Sequence, residues 1–368
     1  MYNAGQGVTK DEAQAVSWYR KAAEQGNAVA QSNLGRMYRE GKGVTQDNAQ
    51  AVYWYRKASD QGYVNAQNYL GIMYKEGAGV TQDYDQAVFL FRKAAAQGNI
   101  AAQTNLGTMY EAGHGVTRDY AQAMSWYRKA AEQGNADAQN NLGMMFQQGK
   151  GVVKDDAQAA YWYRKAAEQG NATAQDNLGH MYKYGQSGVP KDEKQAIAWY
   201  RKAAEQGNAV AQDVLGSMYE SGHGVPQDNA QAVVWYRKAA DQGVANAQNN
   251  LAIMYKDGKG VAQDYAQAIY WYRKAADQGH AQAQTNLAFI YVNGYGVAQN
   301  FEQAAYWYRK AAEQNVPQAL YNLGLLYENG QGVAQNRQQA IQWYKRAAAQ
   351  NDNPEVRQRA QQRLIPLQ

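Results

Sequence analysis

The chain contains no cysteine. That excludes disulfides and thiolate metal sites, and it leaves the compartment, periplasm or cytoplasm, open. No apolar run approaches the roughly 18 residues that a bilayer-spanning helix needs. No secretory leader is read at the start. The net charge is only +5 over 368 residues, too little for a nucleic-acid surface, which usually makes a whole domain basic. Phenylalanine is scarce, 5 residues against 30 tyrosines.

Catalytic signatures are equally thin. There are four histidines. His114 and His223 occupy the same loop slot three repeats apart, and at about 10 Å per helix layer they are too distant to share a metal. His180 and His280 stand alone. No Ser-x-x-Lys nucleophile motif occurs. Gly41-Lys42-Gly43 lacks the other glycines and the preceding strand of a phosphate loop. The carboxylates recur as helix caps without a convergent pair. These residues assign no catalytic position, metal or cofactor.

What is present is repetition. Trp18-Tyr19-Arg20-Lys21-Ala22 returns at Trp54, Trp126, Trp162, Trp199, Trp235, Trp271 and Trp307, and in altered form at Leu90 and Trp343. The step is 36 residues, once 37. A fixed period of this size marks stacked repeats, each touching only its neighbours. Ala28 to Glu40 is apolar at helical spacing (Ala30, Leu34, Met37, Tyr38), which predicts a first helix, A. Gly41 can enter the left-handed region and end it, and Gly43 allows the next bend. Asp47-x-x-Gln50, recurring ten times with Asn300 and Asn336 in the last two, opens a second helix, B. The Asp caps free N–H groups and the Gln is expected to reach back.

Helix B carries Ala51, Trp54, Tyr55 and Ala58 on one face and ends at Gly62. Gly35, Ala51 and Ala58 let the helices approach, and Trp and Tyr fill what remains. Ala252 and Ala288 replace the helix A glycine, which predicts slightly looser packing there. Asn315 and Asn351 replace the closing glycine and are expected in the left-handed region. The ten Arg-Lys or Lys-Arg pairs supply 20 of the 37 basic residues. They fall near the C-terminus of helix B, where cations suit the dipole, and Arg20 with Glu24 or Arg56 with Asp60 has ion-pair spacing.

Residues 1–10 look like the tail of a repeat without its helix A. Helix B at 11–24 is therefore expected to expose an apolar face, open to self-association at the N-terminal end. The solenoid is expected over 1–350. A cap is expected over 351–368, with Val356, Ala360 and Leu364 as its apolar stripe.

Ala102-Gln103-Thr104-Asn105-Leu106-Gly107-Thr108-Met109-Tyr110, then Gly113-His114-Gly115-Val116, Asp119 and Trp126-Tyr127, resembles the Sel1-like repeat, a relative of the tetratricopeptide repeat. The resemblance implies an all-α, right-handed superhelical solenoid of antiparallel helix pairs, with helix A lining the concave side. It implies a bacterial, non-catalytic adaptor or scaffold for a protein or peptide partner, including toxin-neutralising immunity roles. A β-lactam- or cell-wall-fragment-binding protein with weak hydrolase activity is the alternative it carries.

Function in such an array belongs to slots that vary. On helix A, Ser32, Arg36 and Arg39 are expected opposite the core. The slot after the glycine reads Arg36, Ile72, Thr108, Met144, His180, Ser217, Ile253, Phe289 and Leu325. Ile253, Phe289 and Leu325, with Val292 and Tyr321, predict an apolar partner patch on the last three repeats. The slot before the leucine is Asn in seven units, among them Asn250, Asn286 and Asn322. An amide there serves either a ligand backbone or the neighbouring repeat. Arg36 and Arg39 are the groove cations of the first complete repeat. A second variable strip on helix B holds Tyr53, Phe89, Tyr161, Val234, Tyr270 and Tyr306.

Overall fold

The computed structural model describes residues 11–186 and 188–367. The half-repeat tail at 1–10 and the inserted Ser187, expected to bulge its loop, lie outside the described residues. The chain forms two compact units, 1–181 with 185–190, and 182–184 with 191–368.

The first ten helices are α1 (Glu12–Glu24), α2 (Ala28–Glu40), α3 (Asn48–Asp60), α4 (Val64–Glu76), α5 (Tyr84–Ala96), α6 (Ile100–Ala112), α7 (Tyr120–Glu132), α8 (Ala136–Gln148), α9 (Asp156–Glu168) and α10 (Ala172–Tyr184). The rest are α11 (Glu193–Glu205), α12 (Ala209–Ser221), α13 (Asn229–Asp241), α14 (Ala245–Asp257), α15 (Tyr265–Asp277), α16 (Ala281–Asn293), α17 (Phe301–Glu313), α18 (Pro317–Asn329), α19 (Arg337–Ala348) and α20 (Pro354–Leu364). Even numbers through α18 are the A helices and odd numbers the B helices. Among the described residues the only β feature is an isolated bridge between Gln186 and Val189. Within each unit consecutive helices pack on one another, α1 through α9 and α11 through α20, as a solenoid of helix pairs.

The repeat boundaries follow from local chemistry. Gly41 ends α2 at φ +67° and Gly62 follows α3 at φ +83°. Gly43 has a second reason to be glycine: a Cβ there would lie 2.2 Å from the carbonyl oxygen of Glu12. The loop thus lies on the start of the preceding helix B. Asp47 caps α3, accepting from the Gln50 N–H at 2.9 Å. The reciprocal half of the expected capping box is absent, because the Asp47 N–H donates instead to the Tyr38 carbonyl at 2.9 Å. That bond closes the loop onto its own helix A, and it recurs from Asp83 to Tyr74 and from Asp119 to Tyr110.

The core is built where the small residues stand. Tyr55, Tyr127, Tyr163, Tyr200, Tyr236, Tyr272, Tyr308 and Tyr344 are the largest enclosed side chains. Tyr55, Tyr127, Tyr163, Tyr236 and Tyr344 each lie against the glycine of the facing helix A. A Cβ on Gly107 would meet the Tyr127 ring at 2.6 Å. Ala252 and Ala288 are nonetheless fully buried and Tyr272 and Tyr308 stay enclosed, so the expected loosening does not appear as exposure. Asn315 takes φ +61°; it is the one non-glycine residue with positive φ among the described residues, so Asn351 does not. Helix α19 is one residue shorter and ends on a right-handed Ala349, which removes the need for a left-handed turn at 351. Val356, Ala360 and Leu364 of α20 are buried. At the other end Trp18 is 58% exposed, while Ala15, Val16 and Ala23 of the same helix are buried.

Candidate partner-binding groove

Most polar side chains that recur with the repeat are already committed to holding it together. Gln31 is buried; its amide nitrogen donates to the Ala23 carbonyl at 3.0 Å and its oxygen accepts from Gln61 at 2.7 Å. The same clamp joins Gln139 to Ala131 and Gln169, and Gln248 to Ala240 and Gln278. Sequence reasoning passed over it; the signal was a glutamine held in every complete repeat but the last, beside a slot that varies. The last repeat breaks the pattern with Leu320. There Arg346 donates to the Ala312 carbonyl at 2.8 Å, the group a glutamine at 320 would have served, and to Asn315 Oδ1 at 2.8 Å. The swapped order Lys345-Arg346 thus has a structural reason.

The Arg-Lys pairs are also structural. Arg20, Arg56 and Arg92 donate to the hydroxyls of Tyr38, Tyr74 and Tyr110 at 2.8 Å, and so does Arg273 to Tyr291. Arg20 and Arg56 are spent this way rather than on Glu24 and Asp60. Eight of the ten lysines cover an aromatic ring one turn back: Lys57 sits 4.8 Å from the Tyr53 centroid and Lys238 4.0 Å from that of Trp235. This cation–π cover lies over part of the helix B strip, whose Tyr53, Phe89, Tyr161, Val234, Tyr270 and Tyr306 are about half exposed.

The slot expected opposite the core is buried. Ser32 is 5% exposed, and Asn68, Asn140, Asn249 and Thr285 in the same slot are equally enclosed. Helix A is covered by repeats on both sides, so its buried arc is wider than that of a surface helix. These residues receive the asparagine before the leucine: Asn105 donates to Asn68 at 2.9 Å, Asn177 to Asn140 at 3.0 Å and Asn286 to Asn249 at 3.2 Å. Asp176, in the receiving slot, has an Oδ1 with no hydrogen bond, and burial pushes its carboxyl up to about 6. Asp213 is raised likewise to about 6 by burial, opposed by a hydrogen bond from Asn250.

A groove between two A helices lies in the second unit. Gln282, Asn286, Phe289, Val292 and Asn293 of α16 face Gln318, Tyr321, Asn322, Leu325 and Asn329 of α18 across a groove of about 590 Å³, with Tyr308 beneath and Arg359 of α20 at its side. Phe289 is 45% exposed. Its other side lines a cavity of about 470 Å³ with Lys256, Tyr265 and Tyr295. Of the residues expected to bind a partner, Phe289, Val292, Tyr321, Leu325, Asn286 and Asn322 converge in this groove. Ile253 is half-buried against the core of α14 and Asn250 shares a hydrogen bond with Asn249; neither lines the groove. Arg36 and Arg39 belong to the first unit, where Arg36 pairs with Glu40 at 3.6 Å. The groove amides are internally paired: Gln282 donates to Asn286 at 3.1 Å and Gln318 to Asn322 at 3.0 Å. Asn322 also shares a hydrogen bond with the buried Tyr308 hydroxyl. Among the described residues no group of three or more His, Asp or Glu is placed to hold a metal, and no helix is long and apolar enough to cross a membrane.

No curated protein matches the chain. A solved structure of c5321, a protective antigen of uropathogenic Escherichia coli with an SLR fold, is 41% identical, covers 99% of this chain and 86% of its own, and superposes with a TM-score of 0.64. A Sel1 repeat protein of Oxalobacter formigenes is 34% identical over 84% of this chain and 89% of its own, with a TM-score of 0.61. The Sel1 repeat model matches ten consecutive segments, 1–27, 28–63, 64–99, 100–135, 136–171, 172–208, 209–244, 245–280, 281–316 and 317–352. With the same two-helix hairpin repeated along the chain, it belongs to the Sel1 repeat family.

Proposed function

We propose that the chain is a non-catalytic adaptor that holds a protein or peptide partner in the groove between α16 and α18. One observation carries the reading. Side chains that vary from repeat to repeat, Phe289, Val292, Tyr321 and Leu325, converge on one surface, while most of the recurring glutamines, arginines and tyrosines are consumed by contacts that hold the repeats together. A partly exposed aromatic among aliphatic neighbours has the composition of an interface anchor. Two kinds of partner fit the role, a toxin held inactive and a component held for assembly, and the activity of the captured protein separates them.

The test is quantitative capture from the source organism with wild-type, Phe289→Ala and Tyr270→Ala chains as bait, each with its melting curve. Phe289 is half exposed, so its truncation should barely move the melting transition, yet as an anchor it should weaken capture by tenfold or so, about 1.4 kcal/mol. Tyr270→Ala should capture normally. Loss of capture with Tyr270→Ala and none with Phe289→Ala would reject the groove.

A further inference from the structure

The groove has one charged side chain in its lining. We infer that Arg359 makes it selective for an extended peptide in which an aspartate or glutamate accompanies an apolar anchor. This deepens the partner-binding reading and rests on it. Apart from Thr285 and the two tyrosines, the rest of the lining is apolar or amide, with no carboxylate. Glu328, the carboxylate nearby on α18, is occupied: it accepts from the Tyr344 hydroxyl at 2.5 Å and from Arg363 of α20 at 3.2 Å. It therefore does not serve Arg359. The ion partner of Arg359 is Glu355, one turn away on the same helix at 2.6 Å, with side chains 55% and 73% exposed. An exposed i, i+4 pair is worth little, so an incoming carboxylate displaces Glu355 at small cost and meets the one cation of the groove lining.

The amides argue for an internal segment rather than a chain end. Gln282 and Gln318 stand near the N-terminal ends of α16 and α18, and Asn293 and Asn329 near their C-terminal ends, with Phe289, Val292 and Leu325 between them. These amides now bond to neighbours, Asn293 to the Phe289 carbonyl at 2.8 Å and Asn329 to Gln331 at 3.4 Å; exchanging those bonds on both sides of the apolar stretch suits a backbone that runs on past its anchor in both directions. Arg359 is then the specificity-determining residue and Phe289 the anchor contact.

The experiment is selection of a random peptide library, displayed with its C-termini fused, on the full chain and on Phe289→Ala, Arg359→Gln and Glu355→Gln, all checked by melting. Wild type should enrich apolar peptides with an acid at constant spacing. With one such peptide resynthesised with blocked ends, Arg359→Gln should weaken binding about five- to tenfold and erase the acid preference, and Glu355→Gln should tighten binding by up to about fivefold, the range of an exposed pair. Enrichment that needs Phe289 but shows no acid bias, or an acid bias that survives Arg359→Gln, overturns this inference and leaves the groove standing. Binding that requires a free C-terminal carboxylate also overturns it. No enrichment that depends on Phe289 overturns the groove itself.

Discussion

Asp176→Asn should stabilise this protein, and the gain should vanish in acid. The neighbouring examples of the slot, Asn68, Asn140 and Asn249, accept a hydrogen bond from an asparagine of the next repeat. Asp176 stands in the same slot, and its Oδ1 has no partner. Burial holds its carboxyl near 6, against an ordinary 3.8. A carboxyl whose folded value is raised binds more protons in the native state than in the unfolded state. Its stability is therefore highest below about 4 and declines as pH rises through 6. Two pH units correspond to about 3 kcal/mol, the ceiling of the penalty at pH 7.5. An amide of the same shape carries no charge to desolvate. The assay is a set of melting curves of wild type and Asp176→Asn at pH 7.5, 6, 5 and 4, where a gain of several degrees at pH 7.5 should shrink to nothing at pH 4. A variant no more stable at pH 7.5, or equally stabilised at every pH, would refute the reasoning.

Other perturbations read other parts of the frame. Arg346→Ala should cost about 1 kcal/mol: the Ala312 carbonyl keeps the Asn315 N–H at 3.0 Å but loses its side-chain donor, and Asn315 Oδ1 loses its own. Adding Leu320→Gln should recover part of the loss, since Gln350 stands where the clamp's second glutamine belongs; a double variant no better than Arg346→Ala in denaturant titration would contradict the assignment. His280 caps α16, its Nδ1 accepting from the Ala283 N–H at 3.1 Å and its Nε2 meeting Asn246 Oδ1 at 2.9 Å. Burial lowers its pKa, so its stabilising contribution is present above pH 6.5 and is lost as the pH falls through the lowered value. His280→Asn, the residue the slot holds at Asn27, should flatten that part of the profile, and an unchanged profile would count against the cap. Nitrocefin should be turned over at the background rate; turnover abolished by a single-residue change would establish a hydrolase instead.

Much of the architecture was readable because it is local. A glycine that must turn left-handed, an aspartate three residues before a bonded N–H, and an alanine-flanked tyrosine announce themselves at fixed spacing, and the period multiplied the signal. What stayed hidden runs between repeats. The Gln31–Gln61 clamp spans 30 residues and the Arg20–Tyr38 tie spans 18, distances at which no helical periodicity speaks. The Asp47 N–H was assigned to Gln50 because local spacing allowed it, and the bond to Tyr38 won because the loop folds back on helix A. Ser32 was placed outside because a helical wheel assumes one covered side, whereas helix A is flanked twice. The groove residues were nameable from their variation; the role of Arg359 was not, since α20 lies outside the repeat and only packing brings it beside α18.

The central claim is that the frame is spent inwardly and that recognition falls to the surface between α16 and α18. Photo-crosslinking tests it most directly, with the reactive side chain placed at Phe289 in one chain and at Tyr270, on the helix B strip, in another, both exposed to the same lysate. The account predicts a discrete adduct from position 289 and none from 270. An adduct from 270 with none from 289 would contradict it.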